Sequence, residues 1–189
     1  MFKALRKIFG IAFSSRYLLV TNTTTGILSL SVADLMQQFL DHRQRKDNME
    51  KTSPYKHDYR RSCSMIVGGI YFGVGGHFWY GFLDKRFPGK ERSMILRKLI
   101  REMAFGPPYV SGCFLIVNSL ENKTFKESWS NLMHNLKYIL TTEWMFYLPL
   151  QWLNFYFLPP KYRYLFVASI TLIYDNFLSY IFHRIPISI

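Results

Sequence analysis

Acidic residues are scarce in this chain. Only 12 Asp and Glu stand against 24 Lys and Arg, for a net charge of +12, and no acid precedes Asp34. That balance suits anionic lipid headgroups or a phosphate-rich partner such as RNA, and a plain solvated basic surface gives the same count. Cysteine is nearly missing. Cys63 and Cys113 form no CxxC pair and no zinc spacing, so they read as two small packing residues with free thiols. The five histidines (His42, His57, His77, His134, His183) fall in separate segments without ligand spacing. No HExxH, P-loop, dinucleotide fingerprint or GxSxG occurs. Gly73-Val74-Gly75-Gly76 lies inside an apolar stretch, where a phosphate cradle has no place. No enzyme, cofactor or metal is therefore expected.

Charge is also missing from a long run. Ser62 to Leu83 is 22 residues without one Asp, Glu, Lys or Arg, fenced by Arg60-Arg61 and Asp84-Lys85-Arg86. A helix of that length crosses a hydrocarbon core of about 30 Å. Lipid leaves backbone groups no water to bond, so helix is the natural conformation. Aromatics make up 18% of the chain, and His77, Trp79 and Tyr80 gather where such a helix would meet the headgroups. The mean hydropathy of zero reflects charged, short loops averaged with apolar segments.

Five apolar segments are expected to be helical: about 17–40, 62–83, 99–120, 138–158 and 164–182. Only the second is clean; the others carry polar interruptions, Gly106-Pro107-Pro108 or Pro149. The expected fold is an all-α polytopic membrane helix bundle with four to five spans and an N-terminal amphipathic helix. In that segment, 1–16, Lys3, Arg6, Lys7 and Arg16 oppose Phe2, Leu5, Phe9, Ala12 and Phe13. This is the pattern of a mitochondrial targeting helix or of a helix lying on a membrane surface. Residues 17–189 read as one bundle domain. Asp41 to Arg61 reads as a solvated loop, and Phe87-Pro88-Gly89 and Leu158-Pro159-Pro160 as breaks. Lys and Arg divide almost evenly between the two sides of a five-span chain, so orientation stays open.

Acids inside apolar segments are costly and must face the bundle interior, pair or take a proton. Asp34, Glu102, Glu143 and Asp175 are such acids, with Gln37, Gln38, Gln151 and Asn154 as candidate hydrogen-bond partners and Arg101 or Arg163 as a candidate counter-ion. They either line a water-filled path or tie helices together. Gly68, Gly69, Gly73, Gly75 and Gly76 share one segment, at a spacing that lets helices approach closely. Two basic stretches are candidate contact loops: Arg43, Arg45, Lys46, Arg60 and Arg61, then Lys85, Arg86, Arg97 and Lys98.

Several short elements recur in order. Asp34 is followed by Gln38; His77-Phe78-Trp79-Tyr80 by Leu83-Asp84 and Phe87-Pro88; Gln151-Trp152-Leu153-Asn154-Phe155 by Pro159 and Arg163; and Leu178-Ser179-Tyr180 closes the series. In this pattern the chain resembles the Mpv-seventeen / 22-kDa peroxisomal membrane protein family over about 16–184. Arg16 to Thr23, Arg60 to Met65, Glu143-Trp144 and Tyr174-Asp175 resemble its mitochondrial branch, Mpv-seventeen-like protein two. The resemblance implies a mitochondrial inner-membrane protein supporting assembly and stability of the mitochondrial ribosome, chiefly the large subunit, and so mitochondrial translation. For the wider family it implies a channel or carrier for small solutes or ions, and it admits a peroxisomal membrane address. The implied partners are the lipid bilayer and the RNA or protein of that subunit, with self-association left open. Three positions depart from the family pattern: Gly73-Val74, Glu102-Met103 and Tyr147-Leu148 replace a Gly-Pro, an Asp-Gln and a Trp-Pro. Loss of a kinking proline or an amide weighs against a pore built on them.

Overall fold

A computed structural model describes residues 2–47 and 56–184, with helical side chains at several positions, among them Arg45, Lys46, Glu143, Asp175 and Ser179, outside the described set. The described residues are helical almost throughout. The elements are α1 (Phe2–Ala12), α2 (Leu18–Asp47), α3 (Tyr59–Arg86), α4 (Arg92–Leu120), α5 (Phe125–Phe157), a 3-10 turn (Pro160–Tyr162) and α6 (Arg163–Arg184).

Each long helix overruns the apolar run that predicts it. α2 continues to Asp47 and α3 begins at Tyr59, so most of the charged residues assigned to a loop are helical. Asp58 caps α3 by accepting from the Arg61 backbone N–H at 3.1 Å. α5 starts well before residue 138 because Thr124 and Glu127 form a capping box, with the Thr124 N–H donating to Glu127 Oε2 at 3.1 Å. Those bonds, from the Thr124 side chain and then its backbone, hold the Glu127 carboxyl below the usual glutamate value. Pro107 and Pro108 lie inside α4 and Pro149 inside α5 without ending either helix, as is common where neighbouring helices resupply the lost bonds.

Among the described residues two helices are long and apolar enough to cross a membrane, α2 over Leu18–Arg43 and α4 over Arg92–Leu120. α3 is not one of them, although its charge-free run reads as the cleanest span. The reason is compositional: its glycines, His77, Trp79 and tyrosines dilute the aliphatic content, and the glycines serve contact with α2. A Cβ on Gly69 would lie 2.6 Å from Ile27 Cα, and one on Gly73 would collide with Thr23 Cα. Gly26 on α2 faces the Gly69 carbonyl in the same way. Main chain therefore meets main chain along this seam.

Burial runs opposite to the habit of a water-soluble domain. Among the described residues ten buried polar or charged side chains match eleven buried hydrophobic ones, while Leu28, Val32, Leu35 and Phe39 form an exposed apolar stripe on α2 and Ile66, Val67, Ile70 and Phe78 one on α3. Hydrocarbon is the solvent that tolerates that exterior, and a bundle in lipid turns its polar groups inward. The apolar interior that remains is Tyr80, Leu83, Phe87, Ile95, Phe155, Tyr164 and Ala168.

α2 and α3 run antiparallel, since Asn22 meets His77 near one end (Nδ2 to Nδ1, 3.3 Å) and Gln38 meets Ser62 near the other. α1 is tied to the first of these ends: Phe13 packs on Tyr162 with ring centroids 4.8 Å apart, and Thr21 donates to the Ala12 carbonyl at 2.6 Å.

Candidate functional site

The residues singled out from the sequence fall into separate clusters. At one end of the bundle Asp34 is fully buried and accepts from Ser62 Oγ at 2.5 Å and Gln38 Nε2 at 2.9 Å. Its counter-ion is Arg61, whose Nε is 2.8 Å away and whose Nη1 also reaches Asp41 at 3.2 Å. Arg61 is thus an internal tie, not the free contact residue expected, and neither Arg101 nor Arg163 neutralises Asp34. Arg60 donates to the Leu120 carbonyl at 2.9 Å and so closes the last turn of α4.

The opposite end holds a second cluster. Asp84 accepts from Lys98 Nζ at 2.7 Å and from Arg163 Nη1. Arg163 also donates from Nε to the Leu158 carbonyl at 3.3 Å and from Nη2 to the Phe155 carbonyl at 3.4 Å. Lys98 Nζ and the guanidinium of Arg163 lie 5.4 and 5.2 Å from the centre of the buried Phe155 ring. The run of bases around Lys98 predicts a solvent-facing contact residue; at 1% exposure Lys98 is instead core. The signal for this is its register: Ile95, Lys98, Glu102, Phe105, Tyr109, Cys113 and Val117 recur every three or four residues, which is one face of α4. Pro159 ends α5 and opens the 3-10 turn that delivers Arg163.

Between the two ends lies a partly open cavity of about 200 Å³ lined by residues of α2 to α6. Glu102 is in its wall, accepting the Trp79 indole N–H at 3.0 Å beside the Tyr80 hydroxyl. Gln151 donates to that hydroxyl at 2.7 Å, and Asn154 donates to Gln151 Oε1 at 2.9 Å and to the Arg163 carbonyl at 3.5 Å. A polar track thus runs from Glu102 to the Asp84 cluster. Asp34 and Gln38 are not on it, so the predicted intramembrane network is split in two. Tyr109 holds α4 to α3 by donating to the Phe72 carbonyl at 2.8 Å, and Trp79 stacks on Phe105 with centroids 3.8 Å apart.

Arg43, Lys85, Arg86 and Arg97 are exposed. The two basic stretches sit at opposite ends of α3, whose 28 residues span about 42 Å. They cannot form one surface.

An all-helical bundle with an apolar exterior and buried ion pairs defines a membrane protein. The sequence profile of the Mpv17 / PMP22 family matches residues 118–179. The chain is 30% identical to PXMP2/4 family protein 2 of Dictyostelium discoideum, over 94% of this chain and 92% of that protein. It is 31% identical to mitochondrial inner membrane protein Mpv17 of Xenopus laevis, over 83% and 85% of the two chains, and 26% identical to peroxisomal membrane protein 2 of Bos taurus, over 82% and 78%. The chain belongs to the Mpv17/PMP22 family. The inner-membrane address implied by the family resemblance is the one in the Xenopus protein's name, and the peroxisomal alternative is the one in the bovine protein's name. No solved structure matches the chain.

Proposed function

We propose that this chain is a non-enzymatic protein of the mitochondrial inner membrane that supports assembly and stability of the mitochondrial ribosome, chiefly its large subunit. The reading rests on the resemblance to the mitochondrial branch of the family and on one observation. The end of the bundle that carries Asp84 and the 3-10 turn exposes Lys85, Arg86, Lys90, Arg92, Arg97 and Lys161, with Glu91 the exposed acid among the described residues of the α3–α4 turn. α1, with exposed Lys3, Arg6 and Lys7, is anchored to the same end. Such a face meets phosphate oxygens through charge, with little need for sequence readout and a strong dependence on salt.

The test is sucrose-gradient fractionation of mitochondrial lysate at low and high salt. Co-migration with large-subunit particles at low salt, lost when Lys85, Arg86, Lys90 and Arg97 are replaced by Gln, is expected. Absence of co-migration at either salt overturns the reading.

The cavity favours a second reading, a channel or carrier for small solutes or ions. Among the described acids Glu102 is then the wall residue that sets charge preference, since Asp34 is closed off by Arg61. In a planar bilayer this reading predicts conductance whose cation preference falls in Glu102→Gln, and a silent bilayer rejects it.

A further inference from the structure

The cavity has an aromatic lining that neither reading uses. Among the described residues its wall includes the rings of Trp79, Phe105, Tyr109, Trp144, Tyr147 and Tyr164, one carboxylate, Glu102, and no lysine, arginine or histidine. Among the described residues Glu102 forms no ion pair. Lys98, one turn earlier on the same face, is held by Asp84. A carboxylate facing an apolar, aromatic space, even one that accepts the Trp79 indole N–H, is expensive unless it takes a proton or a positive charge joins it, and a bound cation supplies that charge. Aromatic faces attract cations, and they favour weakly hydrated organic ones, which shed their water most easily. The volume is right for such a group, since an engineered apolar cavity of about 150 Å³ accepts a benzene molecule and this one is about 200 Å³. The hydroxyl of Ser29, also in the wall, donates to the Ala168 carbonyl at 3.0 Å and keeps its lone pairs to accept from a single alcohol on the ligand.

We infer that the central cavity is a binding site for a small organic ammonium ion of about the size of choline, held by Glu102 within a box of aromatic rings. The inference needs neither a ribosome nor conduction. It separates cleanly from both, because it concerns occupancy alone. A purely apolar cavity would take a neutral molecule of the same shape equally well, and a site for inorganic cations would prefer potassium.

The experiment uses the full chain purified in a maltoside detergent, which carries no choline headgroup. Tryptophan emission is followed while choline, its neutral isostere 3,3-dimethyl-1-butanol or potassium chloride is added at matched ionic strength, since Trp79 and Trp144 both border the cavity. Saturable quenching by choline, at least about tenfold tighter than the isostere and absent with potassium, is expected. Glu102→Gln should weaken choline by at least about tenfold while leaving the isostere unchanged. The inference is overturned if choline does not saturate, if the isostere binds as tightly, if potassium reproduces the quenching, or if a folded Glu102→Gln protein keeps wild-type affinity. Should that variant fail to fold, the choline-to-isostere ratio on the unaltered chain decides the matter by itself.

Discussion

Asp84→Asn offers the sharpest test of how the bundle is locked. Asp84 is shared by two cations whose side chains are almost fully enclosed, Lys98 at 2% and Arg163 at 4% exposure. The substitution keeps shape and hydrogen-bonding capacity but removes the one negative charge, leaving two buried positive groups facing each other. Breaking a buried ion pair by deleting one partner costs about 3–5 kcal/mol. At about 3 °C per kcal/mol for a chain of this size, the melting temperature should fall by about 10–15 °C. Lys98→Met should behave differently. It takes the cluster from one surplus positive charge to neutrality and puts an apolar chain against Phe155, so its cost should stay within about 1 kcal/mol. Both variants can be melted in detergent with intrinsic fluorescence as the readout. If Asp84→Asn melts within about 2 °C of the parent, or Lys98→Met is the more damaging, the cluster is not the lock argued here.

Further expectations follow from other contacts. Gly73→Leu puts a side chain where the α2 backbone already lies and should cost about 1–3 kcal/mol or more, read as lost monodisperse protein on size exclusion, whereas Gly81→Ala, with open space beside it, should not. Gln151→Leu removes the donor to the Tyr80 hydroxyl and the nearer acceptor of the Asn154 amide and should cost about 1–3 kcal/mol in the same melting assay. The Glu127 carboxyl titrates lower in the folded chain than in the unfolded one, so its cap is complete above the ordinary glutamate value and opens as pH falls through the lowered one. Amide exchange at Thr124, whose N–H donates to that carboxylate, should therefore lose protection at acid pH in the parent, and exchange at Glu127, whose N–H donates to the Thr124 side chain, should lose it at neutral pH in Thr124→Ala, both corrected for intrinsic rate.

Much of the scaffold can be read from the residues because lipid imposes helix on any apolar run. The glycine spacing of 69 and 73 likewise announces a close helix contact, although not its partner Gly26. Helix ends were less legible. Once outside the hydrocarbon a helix needs no apolar residues to continue, so α2 and α5 extend through charged sequence until a cap or a break intervenes. The site was only partly legible. Tyr80, Asp84, Gln151, Asn154, Phe155 and Arg163 are visible as motif residues, but their convergence joins α3, α5 and α6 across more than 70 positions, as in the Tyr80–Gln151 bond. Lys98 hides in a run of bases, where residue type says "solvent" and only helical register says "inside". Glu102 is conspicuous as an acid in an apolar segment, but its aromatic company comes from several other helices.

The glycine seam has a mechanical corollary. With backbone resting on backbone from Gly26 to Gly73, there are no rotamers to exchange, and α2 and α3 must travel as a single slab. Any breathing of the chamber therefore falls to the opposite wall, where α5 and α6 meet through swappable groups such as the Tyr147 and Thr171 hydroxyls, 3.0 Å apart. That wall is the door, and the slab is its frame.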